Sequence, residues 1–190
     1  MKGYVFYLIG LISLNSSQFL FGASEDCLGV GDANFLCGPV SPEDLVQIPK
    51  SSWVVASGME DDGYLYFIDT LQQKSTAVYP SMQSEHRMDT ARFDNCPGPQ
   101  IEGFRPHGLS LVAGDNGVHN LLVVRHGARE AIEVFEIRET APDAPMLTWI
   151  GCVLSPAGVV FNSVVSTPED GIAATHFQLP TGYVYEWSGG

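Results

Sequence analysis

The stretch WVVASGMEDDGYLYFID, residues 53–69, decides the fold class of this chain. Its first part, Trp53 to Gly58, is an apolar run of strand length, and its last part, Tyr64 to Asp69, mixes aromatic and aliphatic residues. Between them Asp61-Asp62-Gly63 supplies turn chemistry, because Asp tolerates left-handed backbone and Gly adopts it freely. The whole reads as a β-hairpin.

The same grammar recurs downstream. Leu121 to Gly127 is followed by Ile132 to Ile137, and Ile172 to Phe177 by Tyr183 to Trp187. Gly, Pro, Asn and Asp separate the runs, and no long segment carries a helical period, so the chain is expected to be all-β. Each hairpin is preceded by a short strand with a polar head: Glu43-Asp44-Leu45-Val46, His107-Gly108-Leu109-Ser110 and Asn162-Ser163-Val164-Val165. The heads recur at a spacing of roughly 60 residues, which suits four-stranded propeller blades with generous loops, about three of them in this length. A sandwich with a coincidental echo is the alternative architecture.

Composition sets the outer bounds. The 190 residues are 45% hydrophobic and 11% aromatic, enough for a packed core and too many for a disordered chain. Asp and Glu number 22 against 9 Lys and Arg, a formal net charge of −13, which excludes a nucleic-acid partner and disfavours adhesion to anionic membranes. Such a chain suits a hard cation held by oxygen donors.

Residues 1–24 read as a secretory signal: Lys2, the apolar run Tyr4–Leu14, and the small residues Gly22-Ala23-Ser24 before Glu25-Asp26. The run is too short for a bilayer span of about 20 residues, so an uncleaved anchor is the lesser reading. Residues 25–190 then form the propeller domain of a secreted or periplasmic protein. The four cysteines, Cys27, Cys37, Cys96 and Cys152, all follow that cut, and an even count in a secreted chain reads as disulfides. Four cysteines allow three connectivities, of which Cys27–Cys37 with Cys96–Cys152 is favoured. A zinc site is the rival, with neither a Cys-x-x-Cys pair nor suitably spaced histidines to support it.

In a propeller the first strand of each blade lines the central channel, so Glu43, His107 and Asn162 would converge on one axis. A carboxylate, an imidazole and a carboxamide there could hold a metal and move a proton. The bland alternative makes Glu43-Asp44 a loop cap and Asn162 an Asx turn. Glu60-Asp61-Asp62 reads as a solvated turn, Asp115-Asn116-Gly117 as a hairpin turn, and Tyr64, Tyr66, Phe135 and Tyr185 as packing residues; His86, His119 and His176 have no assignable partner. There is neither a Gly-x-Ser-x-Gly elbow nor a phosphate-binding glycine loop.

Four segments carry a family resemblance: Ser41-Pro42-Glu43-Asp44-Leu45 before Ile48-Pro49, Arg105-Pro106-His107-Gly108-Leu109, Leu121-Leu122-Val123-Val124-Arg125-His126, and Phe161-Asn162-Ser163-Val164-Val165. In this order the chain resembles the paraoxonase/arylesterase branch of the calcium-dependent six-bladed propellers, and more distantly gluconolactonases and strictosidine-synthase-like proteins, over about Cys37 to Phe177. The resemblance implies that Glu43 and Asn162 are ligands of a catalytic calcium. It makes Asp44 and the carbonyl of Leu109 ligands of a structural one. His107 is then the base acting through water, with His126 as its partner. It departs from the family at Ser163, where an aspartate is usual, and in holding about three blades instead of six.

The expected activity is therefore calcium-dependent hydrolysis of a small ester or lactone. A non-catalytic propeller that binds a ligand through its channel mouth is the alternative from another class, and an inactive fragment of a longer propeller is a third. Were the half-ring the whole chain, self-association would cover its open edges.

Overall fold

The computed structural model describes residues 27, 29–140, 142–176 and 183–188. The expected signal segment, residues 1–24, lies outside the described residues. Residues up to Phe35 and those from Leu36 onward form two units. In the first, Val30 and Ala33 exchange backbone hydrogen bonds of 2.9 and 3.1 Å around Gly31, whose φ of 62° closes the turn.

The second unit is all-β, as the sequence predicts, with no α-helix among the described residues. Strands β1 (Pro42–Gln47), β2 (Trp53–Gly58), β3 (Leu65–Asp69) and β4 (Lys74–Tyr79) form an antiparallel meander. Ahead of the next meander comes the two-residue β5 (Glu85–His86). That meander is β6 (Phe104–Val112), β7 (Val118–Gly127), β8 (Ala131–Arg138) and β9 (Met146–Leu154), with β5 added in parallel along β9. A third sheet holds β10 (Phe161–Ser166), β11 (Ile172–His176) and β12 (Tyr183–Trp187) in consecutive order. None of the three sheets closes on itself.

Turn chemistry fixes where the strands reverse. Between β2 and β3, Asp62 takes a φ of 54° and Gly63 donates to the Glu60 carbonyl at 3.0 Å. A Cβ on Gly63 would strike the carbonyl oxygen of Gly58, so the turn requires glycine. Between β3 and β4, one Asp69 carboxylate oxygen accepts from the amides of Leu71 and Gln72 at 3.0 and 3.2 Å, an Asx-type turn. Asn116 and Gly117, both at positive φ, turn β6 into β7 as expected. Glu60, Asp61 and Asp62 are solvent-exposed, as a solvated turn should be.

The three first strands stand side by side, with β6 flanked by β1 and β10. The approach of β6 to β10 is close: a Cβ on Gly108 would collide with the Asn162 carbonyl oxygen and sit 3.1 Å from the Cα of Ser163. The core lies between the sheets. Phe104, Phe135, Trp149 and Phe161 are fully buried there, and Tyr79 stands edge-on to Phe104 and Phe135 at centroid distances of 5.0 and 4.8 Å. Tyr64 departs from its expected packing role. It precedes β3, lies edge-on to Tyr66, and stays 40% exposed.

Cys96 is bonded to Cys152, as expected, tying the long connection before β6 to β9. Cys27 and Cys37 are also disulfide-bonded. On that same connection Phe93 lies against Gly151, where any side chain would overlap its ring. No helix among the described residues is long and apolar enough to cross a membrane.

Candidate functional site

Each of the three first strands breaks register at its polar head. The β1–β2 ladder shifts between Pro42 and Asp44, at Glu43. The β6–β7 ladder shifts between Pro106 and Leu109, at His107-Gly108, and the β10–β11 ladder between Phe161 and Val164, at Asn162-Ser163. A bulge turns one side chain out of the pleat and leaves backbone groups without ladder partners. Hydroxyls on the neighbouring strand answer that need in two sheets. Asp44 N–H donates to Ser57 Oγ and Ser163 N–H to Thr175 Oγ1, both at 3.1 Å. Glu43, His107 and Asn162 thus sit within strands, at equivalent irregularities, and act as neither loop caps nor free turns.

Packing of β1 on β6 brings the first two heads together. Glu43 Oε1 lies 3.2 Å from His107 Nε2. The imidazole of His107 is buried, while the Glu43 carboxylate is 39% exposed. Next to it, Asp44 bridges the two strands: Oδ2 accepts from Leu109 N–H at 2.7 Å and Oδ1 from Leu45 N–H at 2.8 Å. Asn162 enters from β10, half-buried, its backbone pressed on Gly108.

His107 is held from behind by β7. Its Nδ1 is 3.0 Å from His126 Nε2, and His126 Nδ1 is 2.7 Å from Oε2 of Glu130 in the β7–β8 turn. Glu43, His107, His126 and Glu130 therefore form one unbroken polar row running from an exposed carboxylate through two buried imidazoles. The sequence pointed to the two histidines but not to Glu130, whose only signal is its place four residues after His126.

The opposite face of β7 carries a group that the apolar reading of Leu121–Gly127 missed. Arg125 is fully buried, and its Nη1 lies 3.1 Å from Glu133 Oε1 on β8. Glu133 also accepts from Arg129 Nη2 at 2.7 and 2.8 Å and from Trp149 Nε1 at 2.7 Å. The two guanidinium groups reach onward to backbone carbonyls, Arg125 to Gln100 and Glu102 at 2.7 and 2.9 Å, Arg129 to Gly98 at 2.8 Å. This network straps the segment leading into β6 against the sheet that presents His126. Burial, and then the Glu133 carboxylate, hold the Tyr79 hydroxyl well above the ordinary phenol range.

The remaining histidines have partners after all. His119 is buried, with Nε2 2.7 Å from Glu139 Oε1 and Nδ1 accepting from Gly114 N–H at 3.2 Å. His176 Nδ1 lies 2.8 Å from the Val160 carbonyl, and His86 stacks edge-on between Tyr79 and Trp149. None of the three joins the row.

The donors fit calcium in kind. Glu43 and Asn162 offer a carboxylate and an amide oxygen from the two first strands that flank β6, the hard ligands this ion takes. Calcium needs six to eight oxygens, so these two make only part of a shell. Both Asp44 oxygens already accept backbone N–H groups. Among the described residues, no group of three or more His, Cys, Asp and Glu side chains is arranged to hold a metal ion. No protein-family model matches the chain, and no curated protein matches it at a significant level.

Proposed function

We propose that the three sheets are successive blades of a paraoxonase-like propeller, and that their first strands carry the site of a secreted or periplasmic, calcium-dependent hydrolase of esters or lactones. The observation that carries this reading is the threefold recurrence of a register break at Glu43, His107 and Asn162. Two other ladders also shift, between Leu65 and Tyr66 and between Val134 and Phe135. Only the breaks at the polar heads recur at the same place in all three sheets, as a site assembled from inner strands would require. The two disulfides support the extracytosolic assignment.

Glu43 and Asn162 are the residues that would hold calcium, which when bound polarises the substrate carbonyl. The chain's own contribution is proton transfer. His107 Nε2, beside the exposed Glu43, takes a proton from an attacking water as the water oxygen bonds to the carbonyl carbon. Collapse breaks the bond to the alcohol oxygen, and the proton on His107 returns to that leaving oxygen. His126 keeps the imidazole plane fixed throughout.

The test is hydrolysis of aryl esters and lactones by the full chain, with calcium and with chelator. Turnover should need calcium. It should fall by about 10²-fold or more in His107→Gln, with calcium binding kept. Glu43→Gln and Asn162→Ala should weaken calcium binding and turnover together. Unchanged turnover in His107→Gln would overturn the role of the base. Calcium-dependent stabilisation without turnover would identify a binding module instead.

A further inference from the structure

Two carboxylates, two imidazoles and three contacts form the row Glu43–His107–His126–Glu130, at 3.2, 3.0 and 2.7 Å. Two neutral imidazoles bring one N–H each, so two protons serve three contacts and one contact goes without. Leaving the middle contact empty would set two nitrogen lone pairs face to face at 3.0 Å. Leaving the Glu130 contact empty would press a lone pair on a carboxylate oxygen at 2.7 Å, the shortest distance of the three. The Glu43 contact is the longest and the most exposed, and Glu43 can relax into solvent.

We infer that Glu130 is the positioning residue of this row: its carboxylate holds the His126 proton on Nδ1, so that His126 Nε2 accepts from His107 Nδ1–H and His107 Nε2 is left as the free acceptor. The assignment follows from distances alone and rests on the hydrolase reading only for the use to which that acceptor is put. Two features of the fold support it. Glu130 lies in the β7–β8 turn with its carbonyl fixed by Ser155 N–H at 3.0 Å, so its backbone is held. Its neighbour Arg129 is turned to Glu133 and the Gly98 carbonyl, which leaves the Glu130 carboxylate to His126.

His119 supplies an internal contrast. Gly114 N–H occupies its Nδ1, so its own proton sits on Nε2 toward Glu139. The two buried histidines on β7 should therefore be opposite tautomers in one chain.

The experiment is long-range proton–nitrogen NMR of the full chain labelled with 15N-histidine, at neutral pH. His126 should appear as the Nδ1–H form and His119 as the Nε2–H form. In Glu130→Ala, His126 should lose its Nδ1–H preference while the His119 signals stay in place and report an intact sheet. Turnover, where it exists, should fall on the order of 10²- to 10⁴-fold in kcat with KM kept, the size of effect a misplaced imidazole proton causes. His126 found as Nε2–H in the unaltered chain would overturn the assignment, as would an unchanged His126 in Glu130→Ala beside intact His119 signals. If Glu130→Ala loses the His119 signals, the unaltered chain's own spectrum decides. An inactive chain with His126 as Nδ1–H would sink the hydrolase reading alone; an active chain with His126 as Nε2–H would sink this inference alone.

Discussion

Glu133 is where the sheet that presents His126 is most sensitive to a single change. Its side chain is 1% exposed and accepts from Arg125 Nη1, Arg129 Nε, Arg129 Nη2 and Trp149 Nε1, at distances from 2.7 to 3.1 Å. Replacing it with alanine leaves the fully buried Arg125 guanidinium without its counter-charge and the Trp149 N–H without an acceptor. Removing one member of a buried ion pair costs about 3–5 kcal/mol. That is a large share of the roughly 5–15 kcal/mol that holds a domain folded. Glu133→Gln keeps the volume but removes the counter-charge, and its amide NH2 has to face an arginine or Trp149 N–H donor, so its cost should fall in the same range, about 3–5 kcal/mol. The double variant Arg125→Met, Glu133→Leu removes both charges and should lose less than the Glu133→Leu single variant. It will not return to the parent value, because the Gln100 and Glu102 carbonyls lose their donor. Urea unfolding of the parent and the four variants, read from midpoints at constant slope, measures the series. A loss below about 1 kcal/mol in Glu133→Ala would refute the network as a structural strap, since so small a loss means that water reaches the guanidinium.

Two further outcomes follow from the fold. Cys96 and Cys152 are 56 residues apart in sequence, and opening a loop of that length by Cys96→Ser with Cys152→Ser should cost about 4 kcal/mol, visible as a lower urea midpoint; an unchanged midpoint would mean that the cross-link does not constrain the unfolded chain. Gly108→Ala should push β6 from β10, because its Cβ meets the Asn162 carbonyl and the Ser163 Cα, both backbone; a loss of about 1–3 kcal/mol with displaced amide resonances at Asn162 and Ser163 is expected, and unshifted resonances there would rule out the close approach.

What the sequence determined by itself was the local order. Alternation and turn residues placed all the strands of the three hairpins, because strand period and left-handed turn residues act over a few positions. The polar heads Glu43, His107 and Asn162 were legible too, since each recurs in the short segment ahead of a hairpin. Behind His107, only the family resemblance pointed to His126, and nothing pointed to Glu130. Whether His126 meets His107 depends on the β6–β7 register after the break between Pro106 and Leu109, and a bulge shifts the period without changing the residue pattern. Nothing in the local pattern of Leu121–Gly127 or Ile132–Ile137 marks Arg125 or Glu133 as buried. Only the packing of β7, β8 and β9 showed that the two are buried against each other, with Trp149 bonded to Glu133. The short β5, pairing in parallel with β9, depends on a partner more than sixty residues away in the chain and has no local signal. Local chemistry chose the strands; the register between strands, set by bulges and core contacts, chose which side chains meet.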